Sequence, residues 1–216
     1  MRMPTNPAQM LLLLNWMSPT FPIGSFAYSN GFEQAITSGK VRSPLNVEGW
    51  IKDMLEAGSA WNDAVLFARC WHENTAHLNE LAKAMAGSAE RYQETMQLGQ
   101  NFWAAARIWF DTLIPTGNLA YPVAAGSACH AAGLVANEAL LAFIQSFVAA
   151  QVSVAVRLVP LGQTKGLEIM KNLAPVIERV AERASKATLK DLGSATVGGD
   201  LASMLHENLY SRMFRT

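Results

Sequence analysis

Glu138-Ala139-Leu140-Leu141-Ala142-Phe143-Ile144-Gln145-Ser146-Phe147-Val148-Ala149-Ala150-Gln151-Val152-Ser153-Val154-Ala155-Val156-Arg157 is a long apolar run relieved by Gln145, Ser146, Gln151 and Ser153. Its length would suit a membrane-spanning helix. Its polar residues, and the lack of paired aromatic and basic anchors at its ends, instead mark a helix buried in a protein body. Leu140 to Val156 is apolar on more than one face, as in a helix surrounded by neighbours. Charge stays scarce upstream: from Asp111 to Arg157 the only formally charged side chain between them is Glu138. Ala124-Ala125-Gly126-Ser127-Ala128 is small enough to let helices approach closely. Such a region is either the centre of a helical bundle or a homodimer face, because obligate dimer surfaces resemble a core cut in half.

Helical periodicity extends to both ends of the chain, and no run of alternating β-branched residues argues for a sheet. Helices are expected at Pro7–Met17, from the Gly24 region to Ser38, at Pro44–Ala57, Trp61–Thr75, His77–Ala86 and Ala89–Phe110. Further helices are expected at Pro122–Ala132, Glu138–Leu158, Thr164–Lys186 with a kink at Pro175, and Asp200–Phe214. Ser43-Pro44 pairs an N-cap with a first-turn proline, and Ser88 is a second cap. Pro19, Pro22 and Gly24 break the first helix, Pro115 and Gly117 punctuate a later connection, and Pro160-Leu161-Gly162 makes an elbow between two long helices. The fold class is therefore all-α: a single compact helical bundle domain of about ten helices over residues 1–216, with a tail at about 200–216.

Lys plus Arg and Asp plus Glu both number 17 in 216 residues, so there is no general electrostatic pull toward nucleic acid or an anionic membrane. Hydrophobic residues make up 50% of the chain, enough for a substantial core and for association with itself or partners. Two cysteines, Cys70 and Cys129, are too few and too separated for a disulfide framework. Reduced thiols, with no signal-peptide pattern around Leu11-Leu12-Leu13-Leu14, point to a cytoplasmic protein.

Residues suited to chemistry are sparse. Leu161-Gly162-Gln163-Thr164-Lys165-Gly166 lacks the order of a phosphate-binding loop and follows a helix rather than a strand. Cys70, His72, His77, Cys129, His130 and His206 offer no local spacing that converges three or four metal ligands. No nucleophile–base arrangement stands out, so no catalytic residue, resident cofactor or metal site is assigned.

Three segments carry a resemblance. Ser18-Pro19-Thr20-Phe21-Pro22-Ile23-Gly24, continuing to Tyr28-Ser29-Asn30-Gly31-Phe32-Glu33, resembles the N-terminal motif of the urease accessory UreF family; Ile23, Ala27 and Phe32 depart mildly from it. Gln151 to Gln163, with Arg157-Leu158-Val159-Pro160-Leu161-Gly162-Gln163, is similar to the family's elbow segment. Ala202 to Thr216, with His206-Glu207-Asn208-Leu209-Tyr210-Ser211-Arg212-Met213-Phe214-Arg215-Thr216, resembles its C-terminal motif. Residues 61–115 share only helical character with it.

The resemblance implies a non-catalytic, dimeric assembly protein. Its expected partners are a UreD-type (also called UreH) accessory protein, a UreG-type GTPase and apo-urease, with nickel and GTP carried by partners rather than by this chain. Partner binding is expected of Tyr28, Glu33, Gln163, His206, Glu207, Tyr210, Arg212, Phe214 and Arg215; Pro19, Pro22, Gly24, Gly31, Pro160 and Gly162 shape the motifs. Bland readings stand beside these. Glu33, three after Asn30, suits a capping box, Tyr28 a core ring with a bonded hydroxyl, and Leu201, Leu205 and Leu209 a stripe that docks the last helix on the body. Two other classes remain open: a helical ligand-binding or regulatory protein with an apolar central pocket, and a hydrolase built on a Ser–His pairing.

Overall fold

The Ser43 hydroxyl accepts a hydrogen bond from the Asn46 N–H at 3.2 Å, Pro44 fills the first turn, and α3 (Pro44–Ala57) starts there. Asn6 and Asn74 cap α1 (Pro7–Trp16) and α5 (Thr75–Ala84) in the same way. Ser88 caps α6 (Ala89–Ala106), as expected. The computed structural model describes residues 6–110 and 117–216. Over these the chain forms ten α-helices, the rest being α2 (Phe32–Thr37), α4 (Ser59–Arg69), α7 (Tyr121–Ala131), α8 (Ala136–Leu158), α9 (Gly162–Lys186) and α10 (Val197–His206). Short 3₁₀ turns lie at Ser25–Ala27, Arg107–Trp109 and Leu189–Asp191, and no strand occurs among the described residues. The expected break at Pro115 falls outside them.

The buried apolar side chains form one continuous cluster, with Phe67, Phe102, Leu140, Ile144, Ile169 and Leu173 among its largest members. α8 packs against α9, α4, α2, α3, α7 and the Ser25–Ala27 turn. It buries Ala139, Leu140, Phe143, Ile144, Val148, Val152 and Ala155, while Leu141 on its other side is exposed. By length and composition α8 could cross a membrane, but half of its most apolar window is covered by these neighbours. The small-residue stretch on α7 performs as expected: a Cβ at Gly126 would sit 2.7 Å from the Cys70 sulfur and 2.8 Å from the Phe67 carbonyl oxygen on the α4 side. α9 continues through Pro175 without a break.

Four helices stop short of their expected bounds: α4 ends at Arg69 rather than Thr75, α6 ends at Ala106 and tightens into a 3₁₀ turn before Phe110, and two more differ toward the chain ends. The helix expected to reach Ser38 is confined to Phe32–Thr37, because Asn30 (φ 57°) and Gly31 (φ 77°) are consecutive left-handed residues that no helix can contain. The last helix starts at Val197 and ends at His206 rather than Phe214, because the backbone beyond is bonded elsewhere. α10 also docks through a different face from the one expected. Ala202, Ser203 and His206 are buried, Leu201 and Leu205 face solvent, and Leu209 is half-buried beyond the helix end. Gly31 permits that docking, since a Cβ there would lie 2.7 Å from the Ser203 backbone nitrogen.

Replacing Gly126 by Ala should overpack the α4–α7 contact and lower stability by about 1–3 kcal/mol. Gly49→Ala, on a side of α3 with nothing within 4 Å, should be neutral or stabilising by up to about 1 kcal/mol. Urea denaturation of both variants distinguishes a tight helix crossing from general sensitivity to side-chain growth.

Candidate docking platform built by the chain ends

Glu33 lies in the first turn of α2 and is 5% exposed. Its carboxylate accepts the backbone N–H groups of Met213 at 2.7 Å and Phe214 at 2.9 Å, and faces His206 Nε2 at 3.1 Å. A buried carboxylate needs such partners to offset its lost hydration. His206 is itself fully buried, and its Nδ1 lies 2.7 Å from Glu90 on α6. The second oxygen of Glu90 accepts from Arg212. The chain Glu33–His206–Glu90–Arg212 thus joins α2, α10, α6 and the C-terminal segment. Glu33 does not form the expected capping box: Asn30 N–H donates instead to the Thr216 hydroxyl at 3.1 Å.

The rest of the segment is bonded just as closely. Arg215 N–H donates to the Ala27 carbonyl at 2.8 Å, and Ser29 N–H to the Thr216 main-chain oxygen at 2.9 Å, with the Ser29 hydroxyl donating to the same oxygen. The Thr216 hydroxyl donates to Glu94 at 3.0 Å. Glu94 and Asp63 flank the Arg91 guanidinium in the interior. Burial raises the pKa of both carboxyls, against the lowering pull of Arg91. Glu207 accepts the Ala89 N–H at 2.9 Å, placing a carboxylate at the N-terminus of α6.

The three resembling segments meet here, though partly through residues not singled out from sequence. Arg157, at the end of α8, stands 5.5 Å from the centre of the buried Phe214 ring and donates to the Phe26 carbonyl at 3.3 Å. Gln163, Pro160 and Gly162 lie on the exposed elbow between α8 and α9. Tyr28 has its ring in the core. Ser29, Glu90, Arg157 and Thr216 were missed as site residues; helical spacing brings Glu90 and Glu94 to one face of α6, but nothing local pairs them with the last residues. Tyr210 is fully exposed, Met213 is largely so, and the Arg212 and Arg215 side chains reach the surface. Val197, Leu201, Met204 and Leu205 on the outer face of α10 are exposed as well. The arrangement is a platform of ordered backbone with apolar and basic side chains pointing outward.

Little else on the platform offers chemistry. Both ring nitrogens of His206 face carboxylates, which leaves none for a serine. Burial pushes the Cys70 thiol up to about 12 and raises that of Cys129 as well, so neither is poised as a nucleophile. Among the described residues no group of three His, Cys, Asp or Glu side chains could hold a metal ion.

Comparison with known proteins bears on this geometry. A family model described as UreF matches residues 41–174. Over 214 residues, 96% of each chain, this protein is 44% identical to the urease accessory protein UreF of Rhizobium leguminosarum bv. viciae. It is 43% identical over 217 residues, 97% of each chain, to that of Agrobacterium fabrum (strain C58 / ATCC 33970). Urease accessory protein UreF 1 of Brucella abortus (strain 2308) is 42% identical over 216 residues, 96% of this chain and 94% of its own. These alignments extend well beyond the residues that the family model matches.

Glu33→Gln should loosen the platform, because an amide oxygen cannot accept from all three donors with the strength of a carboxylate. Global stability should fall by about 1.5–3 kcal/mol, and hydrogen exchange at the Met213 and Phe214 amides should accelerate at least about tenfold. Unchanged exchange at those amides would show that the segment is anchored elsewhere.

Proposed function

Because the chain belongs to the UreF family of urease accessory proteins, we propose that it is a non-catalytic scaffold for nickel delivery into apo-urease, working as a homodimer in the cytoplasm. It holds a UreD-type accessory protein and a UreG-type GTPase together and ties GTP hydrolysis to metal transfer. GTP and nickel are bound by those partners. The observation that carries this reading is the C-terminal platform. Its backbone is fixed by Glu33, Ala27, Ser29 and Asn30, while Tyr210 and Met213 are left outside beside the open face of α10. An isolated exposed aromatic is ordinary, but an ordered segment that presents Tyr, Met and Arg next to an apolar helix face has the composition of an interface centre.

The division of labour is consistent with the chain's own chemistry. The Gly162–Gly166 stretch opens α9 directly after the end of α8, without the strand that precedes a phosphate loop. The thiols are buried where α4 meets α7, and both ring nitrogens of His206 face carboxylates.

The test separates anchoring from display. Tyr210→Ala with Met213→Ala removes displayed side chains and leaves every backbone anchor in place. The double variant should keep the wild-type circular dichroism spectrum and melting temperature, yet lose about 1–3 kcal/mol of affinity for the UreD-type partner by calorimetry. Wild-type affinity in that variant would take the platform out of partner capture. Full nickel content in urease matured without this chain would overturn the assembly role itself.

A further inference from the structure

A cavity of about 270 Å³ lies between the Ser25–Ala27 turn and the middle of α8, lined by exposed Phe26, Ser153 and Arg157 and by half-buried Asp63 with buried Arg91 and Glu94. Its wall is mostly aromatic and aliphatic, with Trp16, Tyr28, Tyr121, Phe143, Ile144 and Phe147 among its residues. Three polar groups on that wall have no protein partner among the described residues. They are the Trp16 indole N–H, the Gln151 side-chain amide, in a residue 4% exposed, and the Tyr28 hydroxyl, in a residue 8% exposed. Buried polar groups are nearly always hydrogen-bonded, so bare ones on a cavity wall mark where something polar sits.

Charge narrows the class of occupant. Asp63 and Glu94 share the single Arg91 guanidinium, which leaves one carboxylate in excess among these three. Arg157 does not redress this, being committed to the Phe26 carbonyl and the Phe214 ring. Burial raises the pKa of both carboxyls, and a cation beside them would relieve the same penalty. The electron-rich faces of aromatic rings also attract cations. An anion is disfavoured. A bare metal ion is poorly served too, because among the described residues no group of three His, Cys, Asp or Glu side chains could hold one. Size sets the remaining limit: a cavity of about 150 Å³ takes benzene, so this one has room for a single ring with a short side chain.

We propose that the cavity is a binding site for a small organic monocation, a primary amine on one aromatic or aliphatic body. The ammonium is held by Asp63, Glu94 and the Gln151 amide oxygen, and the body lies among Trp16, Tyr28 and Phe143. This site is independent of the assembly role, and either can fail without the other.

Three probes with one ring and different heads test it on the full chain: benzylamine, benzyl alcohol and benzoate. In calorimetric titrations near neutral pH, benzylamine should bind saturably and at least about tenfold more tightly than benzyl alcohol, with benzoate not binding. Intermolecular NOEs should connect benzylamine ring protons to the Trp16 and Tyr28 rings, a readout that needs no variant. Gln151→Leu, checked for wild-type circular dichroism, should weaken benzylamine at least about tenfold. No saturation by benzylamine at millimolar concentration, equal binding of all three probes, or NOEs confined to surface residues would each overturn the proposal.

Discussion

A carboxylate removed from water must find donors, and Glu33 finds all of its donors in the last stretch of the chain. That requirement organises much of what surrounds it. Two of the donors are main-chain amides, so satisfying Glu33 dictates the path of Met213 and Phe214 rather than merely attracting a side chain. The third, His206, carries the demand onward to Glu90, which in turn holds Arg212. Each charge is compensated by a neighbour on a different element. Removing Glu33, His206 or Glu90 would leave a buried partner exposed to the full cost of desolvation, whereas Arg212 lies at the surface end of the chain. The helix end at His206 follows from the same logic, because amides beyond it that bond sideways to α2 cannot also bond along a helix axis.

The fold class was legible because it rests on signals that act over a few residues. The Ser43-Pro44 and Ser88 starts, the small residues around Gly126 and the apolar length of α8 each express a local rule, and each reappears in the structure. The site was legible only as a set of suspicious segments. Sequence motifs point to Glu33, His206 and Phe214 for partner binding, yet all three are buried, and Tyr210 and Met213 are the side chains left outside. Long-range pairing is what sequence spacing does not encode. Glu33 suited a capping box locally, and its true donors lie about 180 positions away. The leucine stripe failed for a related reason: period alone marks a face as apolar, but the close approach that Gly31 allows selected the Ala202–Ser203–His206 face for burial.

The interior and the platform also share a boundary. Glu94 receives the Thr216 hydroxyl on one side and flanks Arg91 on the other, so the charged group on the cavity wall is separated from the C-terminal segment by one side chain. Arg157 joins the cavity wall and the Phe214 ring in the same manner. The helices supply a rigid frame, and these few polar residues connect its inside to its display surface. A change in the cavity therefore has a short physical route to the groups that hold the tail, through contacts with defined geometry rather than through general softness.

The stitching of residues 27–33 to 206–216 has a consequence for biogenesis. With partners separated by about 180 positions, a ribosome adding roughly 5–20 residues per second leaves Glu33 without its mates for on the order of 10–40 s. During that interval burying the Glu33 side chain would carry the cost of lost hydration without compensation. Synthesis of residues 206–216 then supplies the donors that Glu33 lacks, so the order of this segment depends on a body already in place.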